Sequence, residues 1–313
     1  MPTKILVTGA AGFVGSAIAE KLAQNNNNFI VAVDNFLTGS TDKIPVSEHS
    51  NMRFIKANAN DYKDLSSIFF ANEFDYVFHY AAVVGVARTL ENPVMVLNDL
   101  DGIKNILDLS KNTGVKRVYF SSSSEVYGEP VEYPQNEHTT PLNSRLPYAI
   151  VKNIGEAFLR AYKQEFNLDF GIFRFFNTYG PKQSTDFVMS KFIYSALKGN
   201  DIQIYGDGSQ SRTFCYIDDN VEACANAFYR SKYINDVVNI GNDNETSILE
   251  LAQTIIRITK SKSKIVHVPA LKDGDMTRRL PDIAKMRELL GKDLTTLEDG
   301  IYKLLKAWGV KIS

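Results

Sequence analysis

The feature that most constrains this chain is the stretch from Lys4 to Gly15, KILVTGAAGFVG. Ile5, Leu6 and Val7 form a short apolar run that predicts a buried strand. Gly9, Gly12 and Gly15 follow at even spacing, and residues 16–22 read as a helix. The first glycine permits a tight turn, the second lets a pyrophosphate approach the backbone, and the third lets helix and strand pack closely. The helix start then aims unpaired N–H groups and a positive dipole end at the phosphates. A second apolar run, FIVAVD, ends in Asp34. An acid there can accept from both hydroxyls of an adenosine ribose and repels a 2′-phosphate, which predicts NAD rather than NADP.

Further strands are expected at 52–57, 75–80, 116–121 and 170–176, with helices at 62–70, 94–113 and 148–166 between them. Asp61 is placed to cap the first of these helices, and Ala81 and Ala82 leave room for a cofactor after the fourth strand. Strands alternating with helices predict an α/β fold with a parallel, doubly wound sheet. Beyond residue 180 the alternation loosens. The expected division is a dinucleotide-binding domain at 1–180 and a smaller α/β lobe at 181–313, with some chain crossing back to the sheet.

The fifth strand runs into Ser121-Ser122-Ser123-Ser124-Glu125, where an open α/β sheet places its ligands. Tyr148 and Lys152 then share one face of a strongly helical segment. An ammonium beside a phenol stabilises the phenolate, which predicts a lowered tyrosine pKa and a general base.

With 44% hydrophobic and 23% charged residues in 313, the chain has the composition of a well-packed globular protein. A formal net charge of −1 without a basic block argues against nucleic acid and anionic membranes as partners. The start of the chain enters a strand directly, so no signal peptide is expected. Cys215 and Cys224 match no metal-site spacing and the histidines are scattered, so no metal is expected, and a reduced, cytoplasmic protein is the simpler reading.

Taken together, these motifs resemble the extended short-chain dehydrogenase/reductases that modify nucleotide sugars, the NAD-dependent epimerase/dehydratase family. The matching pieces are Thr8 to Gly15, Asp34, the serine turn, Tyr148 with Lys152, and Arg174 to Pro181 (RFFNTYGP). Gly206 to Arg212 (GDGSQSR) and Arg279 with Pro281-Asp282 complete the set. The resemblance implies a Rossmann-like fold with NAD along Gly9, Gly12, Phe13, Val14, Gly15, Asp34, Asn58, Ala81, Tyr148 and Lys152. It implies Tyr148 as the base on the sugar's C4 hydroxyl, Lys152 and Ser123 as its aides, and Glu125 beside them. Ser124, Asn177, Arg212 and Arg279 would hold the nucleotide-diphosphate sugar. A homodimer through the helices at 94–113 and 148–166 is expected on the same ground. Two positions depart from the family pattern: Asn58 replaces the acid usual at the adenine edge, and Asp99 stands in for the asparagine usual before the helix glycine.

The implied reaction is oxidation at C4 to a 4-keto sugar, as the first half of a C4 epimerisation. Glu125 keeps other outcomes open, because Ser123-Ser124-Glu125 is the pattern of UDP-glucuronate decarboxylases and of some 4,6-dehydratases. Net 4-dehydrogenation is a further outcome, and an NADH-sensing scaffold is the non-enzymatic one. Pro147-Tyr148-Ala149 and the segment 81–92 resemble epimerases instead.

Overall fold

A computed structural model describes residues 1–270 and 277–311. The chain divides into two compact units. The first comprises residues 1–126, 144–175 and 221–238, and the second comprises 127–143, 176–220 and 239–313. A single cut at 180 therefore does not describe the division. Residues 127–143 join the second unit because Asn239, fully buried, accepts from Tyr127 Oη (2.8 Å) and its backbone N–H donates to Glu137 (2.9 Å).

The first unit is built in alternation: β1 (Thr3–Thr8), α1 (Phe13–Ala23), β2 (Asn28–Asp34), β3 (Met52–Lys56), α2 (Tyr62–Asn72) and β4 (Tyr76–His79). There follow α3 (Val86–Glu91), α4 (Pro93–Leu97), α5 (Asp99–Thr113), β5 (Arg117–Ser123), α6 (Pro147–Phe166) and β6 (Asp169–Phe175). The sheet order is the strand Asp236–Ile240, then β6, β5, β4, β1, β2 and β3, and every pairing from β6 to β3 is parallel. The chain goes outward from β1 to β2 and β3, then returns to place β4 on the other side of β1. The carboxyl ends of β1 and β4 are thus the point where the winding reverses, and open sheets bind ligands there.

Local signals account for the element ends. Asp61 caps α2 by accepting from Lys63 N at 2.8 Å, as expected. The long helix expected at 94–113 is instead broken at Asn98 into α4 and α5. The break lets Asp99 begin a helix of its own, close to the sheet edge.

One buried pair locks α6 to the sheet. Glu156, 0% exposed, accepts two hydrogen bonds from Arg174 on β6 (2.8 and 2.7 Å) and one from Ser122 on β5 (2.6 Å). Burial raises the Glu156 pKa, but Arg174 and Ser122 outweigh it, so the carboxyl is held below its ordinary range. Arg174 is itself 1% exposed, so neither charge can fall back on water.

In the second unit, Thr178–Tyr179 pairs with Cys215–Tyr216, Ser211–Thr213 with Glu245–Ser247, and Ile202–Tyr205 with Ile265–Val268. Ser247 and Glu250 form a capping box that starts the helix Ile248–Thr259. Among the described residues, no helix is long and apolar enough to cross a membrane.

Glu156→Gln would leave the Arg174 guanidinium buried without its counter-charge. Breaking one partner of a buried pair costs about 3–5 kcal/mol. Urea unfolding should show that loss, and adding Arg174→Met should recover part of it. An unchanged unfolding midpoint in Glu156→Gln would contradict the assignment.

Candidate active site

The glycine turn is built for close approach. Gly9 takes φ +72°, and a Cβ there would lie 2.7 Å from the backbone of Tyr80 and Ala81. A Cβ on Gly15 would lie 2.0 Å from the Gly9 carbonyl oxygen, and one on Gly12 would lie 3.0 Å from it. Gly9 and Gly15 therefore exclude larger residues, Gly12 is tight, and the turns after β1 and β4 touch. Phe13 and Val14 open α1, which has Gly12 as N-cap and no side-chain cap bond. Their N–H groups face the helix start, where a pyrophosphate is bound in such turns.

Asp34 is buried at the end of β2. It accepts from Ala11 N (2.9 Å) and Phe36 N (2.8 Å), so the acid also braces the glycine turn. Each carboxylate oxygen keeps a second acceptor position for a ribose hydroxyl. Asn58, half-buried after β3, accepts from Asn35 Nδ2 at 3.2 Å. Ala81 donates its backbone N–H to Thr8 Oγ1 at 3.3 Å. These contacts hold the glycine turn, Asp34 and the turn after β4 together as the elements that would hold a dinucleotide.

At the end of β5 the structure gathers Ser121, Ser123, Glu125, Tyr148 and Lys152. Lys152 is 3% exposed and donates to Ser121 Oγ at 3.3 Å. Its Nζ lies 4.8 Å from the Phe120 ring centroid and 5.8 Å from that of Tyr148. Tyr148 is hydrogen-bonded to Ser123, whose Oγ also accepts from Glu125 N at 3.2 Å. Tyr148 and Lys152 do share one helix face. The electrostatics differ from the sequence expectation. Burial and then the Glu125 charge push the Tyr148 phenol up, and its bond with Ser123 only partly offsets them. Burial lowers the Lys152 ammonium to about 8. Desolvation thus acts on both groups more strongly than they act on each other.

Other residues here carried no assignment from sequence. His79 ends β4, bonds Thr8 Oγ1 at 2.8 Å, and is lowered to about 3 by burial and by the Lys152 charge, so it is neutral. Only its place at a strand end, two residues before Ala81, could have singled it out among scattered histidines. Ser121 lay within the serine run, but nothing in the run told which hydroxyl meets the lysine.

In the second unit, Arg212 and Arg279 are buried and lie in neighbouring extended segments, because Ser211 pairs with Arg278 in parallel. The Arg278 guanidinium is meanwhile held by Glu245 at 2.8 and 2.5 Å. Asn177, at φ +33°, donates to the Thr213 carbonyl at 3.1 Å. Asn177 thus contacts the backbone one residue beyond Arg212, and Arg279 follows the residue that pairs with Ser211, while Ser124 is buried in the first unit at the start of the turn after β5. Among the described residues, no group of side chains has the make-up of a metal site.

Gly15→Ala should weaken NAD binding at least about tenfold, or 1.4 kcal/mol, because the Gly9 carbonyl must move to admit the methyl group. Calorimetric titration with NAD measures this, and wild-type affinity would contradict it.

Comparisons with known proteins agree with this fold. The model of the NAD dependent epimerase/dehydratase family matches residues 5–241. A UDP-N-acetyl-alpha-D-glucosaminuronate decarboxylase from Bacillus cytotoxicus is 37% identical over 303 residues, covering 92% of each chain. The crystal structure of a UDP-glucose 4-epimerase from Thermotoga maritima, with UDP-glucose, superposes with a TM-score of 0.91. It is 32% identical and covers 98% of this chain and 99% of that one. A UDP-glucuronic acid 4-epimerase from Bacillus cereus, in complex with UDP-glucuronic acid and NAD, gives 0.89 at 29% identity, over 97% and 98% of the two chains. The glycine cradle, the doubly wound sheet and these matches place the chain in the NAD-dependent epimerase/dehydratase family of enzymes, with NAD as its cofactor.

Proposed function

We propose that this enzyme oxidises C4 of a UDP-linked sugar to the 4-keto sugar and then reduces it on the opposite face, a C4 epimerisation. The observation that carries the reading is the meeting of Tyr148, Ser123 and Lys152 at the carboxyl end of β5. Tyr148 takes the proton from the C4 hydroxyl, and Ser123, already bonded to Tyr148, holds that hydroxyl in line. Lys152 supplies the positive charge that favours the phenolate. NAD, when bound, would supply the hydride acceptor: it would take the C4 hydrogen together with its two electrons and give both back to the other face of the ketone. Asn177, Arg212 and Arg279 hold the diphosphate, since planar guanidinium donors match phosphate oxygens, and Ser124 contributes on the sugar side. The UDP-sugar names of similar proteins support the nucleotide. A homodimer through α4, α5 and α6 fits the exposure of Val94, Leu97, Ile150 and Phe166.

Glu125 favours a second reading, decarboxylation of a UDP-uronate. Its charge acts on Tyr148, so a carboxylate stands beside the candidate base, where epimerisation has no need of one. Once C4 is a ketone, it can accept the electrons of the bond between C5 and its carboxylate, and carbon dioxide leaves. Glu125 would then order the water or proton that reaches C5. The decarboxylase named above is in keeping with this outcome.

Incubation with UDP-glucose, UDP-N-acetylglucosamine and UDP-glucuronate, read by mass spectrometry and NMR, separates the two. An inverted C4 at unchanged mass is the expected result, loss of carbon dioxide selects the second reading, and loss of water excludes both. Tyr148→Phe should lower kcat by about 10²–10⁴-fold while NAD affinity holds. Full turnover by that variant would remove the mechanism.

A further inference from the structure

We propose that Asp99 is a positioning residue that holds Lys152 in its charged form, a buried carboxylate answering the ammonium beside the candidate base. The inference rests on the reading above for the use made of Lys152, but the charge pairing itself involves no substrate.

The placement follows from two helices in register. α5 joins β4 to β5 and α6 joins β5 to β6, and these strands are parallel, so the helices run in the same direction. They are pinned along their length. Tyr162 Oη donates to Asp108 Oδ1 at 2.8 Å, and Gly155 comes so close to Ile103 that a Cβ would lie 3.1 Å from its Cδ1. Asp99 stands one turn before Ile103, and Lys152 stands just under one turn before Gly155. The two residues therefore stand at the same level of the facing helices, in the turns nearest the carboxyl edge of the sheet.

Asp99 is 8% exposed, and each of its oxygens accepts from a neutral donor. Val83 N–H donates to Oδ2 at 2.7 Å, and Asn60 Nδ2 donates to Oδ1 at 3.2 Å. These donors tie the turns after β4 and β3 to α5, but they bring no formal charge. The cation whose field reaches Asp99 is Lys152. Burial raises the Asp99 carboxyl and lowers the Lys152 ammonium, while each one's charge favours the ionised form of the other. Of the other groups facing Lys152, His79 from β4 is neutral, Ser121 and Phe120 from β5 are uncharged, and Tyr148 from α6 is a neutral phenol. Glu125, after β5, acts on Tyr148. An asparagine at position 99 could keep both contacts if the Asn60 amide turned over, because its own amide would then donate to Asn60 Oδ1. The amide would keep the shape and lose the charge, so Asp99→Asn isolates the electrostatic part.

The sign is determined. Removing the Asp99 charge disfavours protonated Lys152 and favours ionised Tyr148, so both groups titrate at lower pH and the whole activity profile moves towards acid. A merely structural role would lower the profile without moving it. The direct readout is NMR of protein carrying ε-¹³C lysine, in the NAD-free and NAD-bound forms, with Lys152→Met identifying the signal. Wild-type NAD-free Lys152 should titrate near 8, and in Asp99→Asn its midpoint should fall. An unmoved midpoint in a folded, NAD-binding Asp99→Asn protein overturns the proposal. The same coupling can be read from the other partner if Asp99→Asn does not fold. With γ-¹³C aspartate, the Asp99 midpoint should rise in Lys152→Met, and an unmoved midpoint there overturns the proposal equally. A shifted midpoint without turnover of any UDP-sugar would sustain the charge pairing while the functional reading fails.

Discussion

The contact between β5 and α6 is the constraint on which the candidate site depends. Gly155 lies against the Phe120 ring so closely that a Cβ would come within 2.6 Å of it. One residue further along α6 and two along β5, Ser122 donates to Glu156, and Glu156 pairs with Arg174 on the next strand. This sterically and electrostatically fixed contact places the start of α6 over the serine turn. Tyr148 meets Ser123 and Lys152 meets Ser121 because the helix cannot slide or rotate there. A buried ion pair contributes little net stability when compared with apolar packing, but it penalises any other arrangement heavily. That penalty serves a site in which a displacement of about 1 Å is costly.

Burial is the second determinant, and it opposes the chemistry in the protein without ligands. It makes Tyr148 a weaker acid and Lys152 a weaker base, so neither ionises readily. The same desolvation strengthens any charge brought into the site. A phenolate here is therefore favoured only when positive charge is close to it. Lys152 is one source of that charge, and its protonation depends in turn on what faces it from α5. The surrounding carboxylates pull in different directions: Glu125 and Asp99 both disfavour the phenolate, while Asp99 also favours the ammonium.

Much of this was legible in the sequence, for identifiable reasons. The glycine spacing, the acid after the second strand and the Asp61 cap are local devices, and local devices act through near neighbours in the chain. Tyr148 and Lys152 were legible because the helical period puts such a pair on one face. What depended on distant segments was not. The break at Asn98 obeys the packing of α5, not the periodicity of 94–113. The return of residues 127–143 to the second unit is set by Asn239, far along the chain. The neighbouring placement of Arg212 and Arg279 required the pairing of Ser211 with Arg278. The rise in the Tyr148 pKa could not be seen either, because the helix reveals the neighbouring lysine but not how dry the site is.

The central claim is that the chain's own phenol and serine direct the breaking of the C4–H bond of a UDP-sugar. Single-turnover absorbance at 340 nm, with the NAD-loaded enzyme and a substrate carrying either hydrogen or deuterium at C4, tests this directly. The account predicts a transient rise in absorbance that is slower with deuterium at C4 and insensitive to deuterium at C3. A product formed without any such rise, or with equal rates for the two C4 isotopes under conditions where chemistry limits the rate, would contradict it.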